Sequence, residues 1–181
     1  FCRRIRLLRL DVPILEVGKR DLLTGHRAAH KITRAQNLEL AVEVAHLGLV
    51  LEAEKFVDTY LPGRVEKGKM TKETAEAARR NISFTPDLKE AAKGADFVIE
   101  AATEVLDIKR KIFAQLDSLT PPHAILATNS SYLVSSLVAD VTKRPARVLN
   151  MHFFNPALVM KLVEVVKGPH VSDESAKITM D

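Results

Sequence analysis

Short apolar runs that alternate with amphipathic helical patterns constrain this chain more than any other feature. Asp96-Phe97-Val98-Ile99-Glu100-Ala101 and Ala124-Ile125-Leu126-Ala127-Thr128 are continuous and apolar, the type that buried strands show. Two further strands are expected at Arg147–Phe153 and Leu162–Val166. Between them lie helical stretches: Asp87 to Ala92, ended by Gly94; Asp107 to Leu119, with Ile108, Ile112, Phe113 and Leu116 on one face; and a segment near Leu133–Ala139. Upstream, Leu51 to Leu61 carries Leu51, Phe56 and Tyr60 at helical spacing, and Pro62-Gly63 is expected to break it. Thr71 can cap a helix over Lys72–Arg80, and Ile82–Thr85 reads as a short strand. A last helix is expected to start with a Ser172/Asp173 cap and to be cut off at Asp181. Strands alternating with helices at this spacing predict an α/β fold, doubly wound, with a mostly parallel sheet and helices on both faces.

In such sheets ligands gather at the carboxyl ends of the strands. Three polar clusters are expected to converge there: Thr103-Glu104, Asn129-Ser130-Ser131, and His152 with Phe153-Phe154-Asn155-Pro156. Histidine is the side chain best suited to moving a proton near neutral pH. Glu164 sits in the apolar run Leu162-Val163-Glu164-Val165-Val166, where a carboxylate is costly unless paired. If the two strands are neighbours, Glu164 can accept a hydrogen bond from one imidazole nitrogen and leave the other facing a substrate. The residues alone do not separate this from a core histidine beside a solvent-facing glutamate. The Ser130 and Ser131 hydroxyls fit a substrate oxygen or a helix cap, and Glu104 with Lys109 alone reads as an exposed first-turn pair.

Composition excludes several classes. One cysteine, Cys2, allows no internal disulfide, and no Cys/His pair has zinc-site spacing, so no metal is assigned. Apolar stretches such as Ala45 to Leu51 are far too short to cross a bilayer, and no membrane partner is expected. The net charge of +4 is concentrated at the start: residues 1–35 carry nine basic and three acidic residues. That head has no aromatic platform beyond Phe1 and no recognition-helix pattern, which argues against nucleic acid; Asp11, Glu16 and the scarcity of serine argue against a transit peptide. A cytoplasmic location is expected.

Taken together, the segments Asp96–Ala101, Ile125–Ser131, His152–Pro156 and Met160–Val166 closely resemble the NAD-binding domain of the L-3-hydroxyacyl-CoA dehydrogenase family. Tyr60–Lys69 is similar to the loop that precedes the family's next helix, so the resemblance covers residues 51–181. It implies a Rossmann-like fold, NAD as cofactor and an acyl-CoA substrate. It implies that His152 is the general base for the substrate 3-hydroxyl, that Glu164 orients His152, that Ser131 bonds the 3-oxygen, and that Asn155 holds the reacting end of the substrate. On the cofactor side it implies Glu104 and Lys109 near the nicotinamide ribose, Ala101 and Ala102 near the adenosine, and Asn129. Tyr132 departs from the family's second serine.

Residues 1–50 depart further and are expected to form an atypical basic head. A dinucleotide site needs a strand, a Gly-rich turn and a helix N-terminus. Gly18, Gly25 and Gly48 are the only glycines before residue 50, and Thr24–His30 puts bulky cationic side chains where the turn is expected. The first βαβ unit is therefore expected to be degraded or missing. Either the head is translated in a shifted frame, or it is a divergent head on a non-catalytic remnant that no longer binds NAD. The family's C-terminal helical domain is expected to be missing too. The resemblance implies that it supplies the parent protein's homodimer interface and part of the acyl-CoA pocket, so weak activity is expected of the fragment.

Overall fold

The computed structural model describes residues 5–8, 36–158, 160 and 162–181, with side chains described from Gly48 onward. The elements, in chain order, are β1 (Ile5–Leu8), α1 (Gln36–Glu66), α2 (Lys72–Arg80), α3 (Leu88–Ala92), β2 (Phe97–Glu100), α4 (Leu106–Leu119), β3 (Ile125–Thr128), α5 (Ser136–Ala139), a 3-10 turn (Pro145–Arg147), β4 (Val148–Phe153), β5 (Val163–Val166) and α6 (Asp173–Met180). They fall into two units: β1 with residues 89–181 makes one, and the helical segment up to Leu88 the other. No helix among the described residues is long and apolar enough to cross a membrane.

In the sheet unit the strand order is β1-β2-β3-β4-β5; the first four run parallel and β5 runs antiparallel to β4. All four residues of β3 are buried, as its uninterrupted apolar run requires, whereas β5 at the sheet edge alternates half-buried and exposed positions. One face packs Ile99, Ile125, Ala127, Leu149 and Val171 into a core, joined by Phe97, Met151, Phe153, Val165 and Ile178 of α6. The side chains of the opposite face meet the loop leading into α5, so helices cover both faces. Gly94, at φ +69°, ends the turn between α3 and β2 in a conformation that suits glycine. Ser172 caps α6 by accepting the Ser175 N–H at 3.1 Å.

In the helical unit α2 starts at a Thr71 cap and is clamped to α1 by Arg79, which donates to Glu54 at 2.8 Å and Asp58 at 2.5 Å.

Three expectations need correction. Pro62 does not break its helix: α1 continues through it to Glu66. The proline removes one backbone donor, but the helix runs on past it, and Val57, Leu61 and Val65 keep an unbroken i, i+4, i+8 apolar row that lines a groove with Ala75 of α2. Residues 82–85 form no strand; Ile82 is exposed, and Phe84 lies under the Arg79 guanidinium instead. In the head, Ile5–Leu8 supplies a parallel edge strand, with Ile5 opposite Phe97 and Leu8 opposite Glu100. Gly18, Gly25 and Thr24–His30, the stretch in which a dinucleotide turn is expected, lie outside the described residues, and α1 crosses the composition change at residue 50 without a break.

The C-terminus of α4 is held from outside. Its last carbonyls lack helical partners, and the Arg144 guanidinium donates to the carbonyls of Asp117, Thr120 and Pro121, and through Nε to the Asp117 carboxylate at 2.8 Å. The Lys143 N–H takes the other Asp117 oxygen at 3.1 Å. Both charged side chains are largely buried, 12% and 8% exposed. Arg144→Ala is expected to cost about 3 kcal/mol, because it strands the Asp117 charge; Arg144→Lys restores part of that. Urea unfolding midpoints that do not move would contradict this account.

A second link joins α4 to α5: Arg110 binds Asp140 through both oxygens, at 2.6 and 3.0 Å. The hydrogen bonds from Arg110, and then its charge, hold the Asp140 carboxyl below the ordinary carboxylate range. A depressed folded-state value means that the contribution is present at neutral pH and is lost as pH falls through the acid range. Asp140→Asn is therefore expected to flatten the acid limb of the melting-temperature profile, and an unchanged acid limb would refute the link.

Candidate active site

Strand alternation sorts the side chains by face. On one face the register sets Val98, Leu126 and Val148 in a cross-strand row, all fully buried. The next row toward the carboxyl ends is Glu100, Thr128 and Asn150. His152 and Glu164 stand opposite each other on the same face one step further along. The sheet thus turns from apolar to polar at its carboxyl edge.

Glu100 anchors that edge. Its side chain is 1% exposed, yet its oxygens are satisfied: they accept from Lys109 Nζ at 2.9 Å each, from Thr128 Oγ1 at 2.7 Å and from the Ala102 N–H at 2.6 Å. This corrects the reading of Lys109 as one half of an exposed first-turn pair. Its ammonium is buried against Glu100 and braces the β2 end from behind, because α4 turns that position toward the sheet. Glu104 is exposed, as expected.

From this base the loop after β3 is tied down point by point. Thr128 Oγ1 accepts the Ser130 N–H at 3.3 Å, and Asn129 Oδ1 accepts the Phe153 N–H of β4 at 2.9 Å. Ser130 Oγ donates to Glu104 at 2.6 Å while accepting the Leu133 N–H at 2.9 Å, and the Ser131 N–H reaches the other Glu104 oxygen at 3.3 Å. The Tyr132 hydroxyl donates to the Glu104 carbonyl at 3.2 Å. Ser131 is left with its hydroxyl 3.2 Å from His152 Nε2.

His152 Nδ1 lies 3.1 Å from Glu164 Oε2, and its ring leans on Phe154 with centroids 5.0 Å apart. A carboxylate only accepts, so Nδ1 carries the proton and Nε2 of the neutral ring presents its lone pair toward Ser131. Glu164 escapes the cost expected of a carboxylate in an apolar run: on the edge strand its side chain is 54% exposed, so it keeps its hydration while it pairs. Above these groups a cavity of about 90 Å³, lined by Ser131, Tyr132, Asn150, His152, Glu164 and Val166 among others, has room for a few atoms.

Of the site residues read from sequence, the structure draws His152, Glu164, Ser131, Glu104 and Asn129 into one hydrogen-bonded arrangement. Ala101 and Ala102 are half-buried just past β2, and Asn155 is exposed two residues past β4. Sequence reading missed Glu100, Thr128 and Asn150. The signal was there: each is the polar residue at the end of an apolar strand stretch. Glu100→Gln is expected to cost about 3–5 kcal/mol by leaving the Lys109 ammonium buried and unpaired, and adding Lys109→Met should recover most of it. A double-mutant cycle by urea unfolding checks this, and additive losses would show that the two are not coupled.

Three comparisons bear on this arrangement. Residues 23–181 match the family model described as 3-hydroxyacyl-CoA dehydrogenase, NAD binding domain. The chain is 44% identical, over 134 residues, to a probable 3-hydroxybutyryl-CoA dehydrogenase of Bacillus subtilis, covering 74% of this chain and 45% of that protein. It is 47% identical over 108 residues to the 3-hydroxyadipyl-CoA dehydrogenase of Escherichia coli, covering 60% and 22%. The chain thus spans less than half the length of these curated relatives. Among solved structures, (S)-3-hydroxybutyryl-CoA dehydrogenase from Ralstonia eutropha superposes with a TM-score of 0.68 at 35% identity, covering 72% of this chain and 46% of that one. The matched segment holds β2 to β5, the buried Glu100 brace and the His152–Glu164 pair alike, and the chain belongs to the 3-hydroxyacyl-CoA dehydrogenase family, within its NAD-binding domain.

Proposed function

We propose that this domain performs the proton-transfer part of the NAD-dependent, reversible oxidation of a (3S)-3-hydroxyacyl-CoA to the 3-oxoacyl-CoA, as used in fatty-acid metabolism. The observation that carries the reading is the arrangement Ser131–His152–Glu164 at the carboxyl edge of the sheet, with distances of 3.2 and 3.1 Å. His152 Nε2 takes the proton of the substrate 3-hydroxyl, and the Glu164 carboxylate stabilises the imidazolium that forms. The Ser131 hydroxyl holds the 3-oxygen as it becomes a carbonyl, and Asn155 meets the reacting end of the substrate. NAD, when bound, accepts the hydride from C3.

The described residues fit the nicotinamide side of such a cofactor. Ala101 and Ala102 are small and half-buried, which leaves the backbone after β2 approachable, and the Glu104 carboxylate is exposed at the same edge. Asn129, whose oxygen is held by the Phe153 N–H, offers its amide NH2 there. Lys109 serves the same edge indirectly, through Glu100. Tyr132 and Val134 line the cavity with exposed side chains, and the segment between β4 and β5 exposes Leu158, Met160 and Leu162. That surface suits an acyl-CoA and a further helical domain, which we assign to the parent protein together with its dimer interface.

With NAD and (3S)-3-hydroxybutyryl-CoA, the chain is expected to form reduced nicotinamide, followed by absorbance. His152→Gln should lower turnover about 10²–10⁴-fold while leaving the dissociation constant for NAD unchanged, and Glu164→Gln should lower it less. Turnover unaffected by His152→Gln would defeat the assigned role. Failure of the unaltered chain to bind NAD would favour a non-catalytic remnant.

A further inference from the structure

We propose that Asn150 is a positioning residue, whose carboxamide sets where the Ser131 hydroxyl stands against His152. The proposal deepens the reading of the site given above and rests on it.

Asn150 lies in β4 two residues before His152, on the same face of the sheet. It is 6% exposed, in a strand whose neighbours Val148 and Leu149 are fully buried. A buried carboxamide is costly unless hydrogen-bonded, and asparagine is a poor strand former, so an apolar residue would serve the sheet better. What Asn150 provides is a grip on the loop that follows β3. Its Oδ1 accepts the Ser135 N–H at 2.7 Å, and its Nδ2 donates to the Leu133 carbonyl at 3.0 Å and the Ser130 carbonyl at 3.5 Å. One N–H and two carbonyls point at it, which fixes the orientation of the amide.

Those three points bracket Ser131. On the other side of Ser131, Asn129 Oδ1 holds the Phe153 N–H, also in β4. The loop is therefore pinned to the strand that bears His152, and the 3.2 Å approach of Ser131 Oγ to Nε2 follows from that pinning. Glu104 also touches the Ser131 N–H, but from an exposed side chain and at 3.3 Å. Thr128 Oγ1 also holds the Ser130 N–H from a buried position, at one point and 3.3 Å; Asn150 is the buried side chain that grips the loop at three.

Asn150→Leu removes all three hydrogen bonds while keeping the number and branching of the side-chain heavy atoms; Asn150→Asp keeps the acceptor for Ser135 and sets a carboxylate against two carbonyls. Both loosen the loop, and the second guards against the first failing to fold. The readout is the imidazole nitrogen spectrum of the full ¹⁵N-histidine-labelled chain, with His152 assigned by its loss in His152→Gln and His123 as the internal control. Ser131→Ala is expected to shift the His152 Nε2 resonance. Each Asn150 variant should shift it too, and should add no further shift in the Ser131→Ala background. A merely structural defect, or a direct effect of the introduced carboxylate on the His152 ring, would instead persist in that background, and such additivity overturns the proposal. So does an unmoved His152 in folded Asn150 variants, or in Ser131→Ala. None of these readings depends on turnover, so the dehydrogenase reading and this one fail separately.

Discussion

A carboxylate with almost no exposed surface closes β2, and the upper edge of the sheet is organised around it. Glu100 is stable there because four hydrogen bonds replace the water it has lost: two from one ammonium, one from a hydroxyl of the next strand, and one from the backbone just beyond it. Such an arrangement adds little net stability over an apolar equivalent. What it does is fix geometry. Thr128 is oriented by Glu100, Ser130 by Thr128, and through Glu104 the loop that bears Ser131 is brought to the histidine.

Above this buried base His152 and Glu164 are kept wetter. His152 has a side chain 22% exposed, and Glu164 lies on an edge strand with half its surface in water. A charge that is already hydrated costs little to pair, and a ring held by a carboxylate at one nitrogen and open at the other can exchange a proton with a ligand. The buried polar groups fix geometry; the half-exposed pair keeps contact with water. The division follows from the sheet, since the interior strands β2 to β4 are covered while β5 is not.

Much of this could be read in the chain. The strands from β2 to β5 stand out because apolar runs of that length have few other uses, and Glu164 stands out because a carboxylate in an apolar run needs a partner, which His152 at the end of the preceding strand can be. The roles of Glu100, Thr128 and Asn150 could not be read so easily. Glu100 and Thr128 look like ordinary polar residues at the end of a strand, and Asn150 like a stray one inside its strand, until the register puts all three in one row. Local rules also failed where tertiary packing outweighed them. α1 runs on through Pro62 with Leu61 and Val65 turned toward α2, and Lys109 is buried because α4 turns it toward Glu100. Composition made residues 1–50 look foreign, yet four of them pair with β2.

The pairing of β4 with β5 bears on how such a chain can change over time. His152 faces Glu164 because the register of the two strands sets these positions opposite each other on one face. A strand slipped by one residue turns every side chain to the other face. A one-residue slip of β5 against β4 would thus send Glu164 toward the core and bring a valine to the imidazole. A change of length inside either strand breaks the pair, whereas the connection between the strands can take up an added residue without moving it.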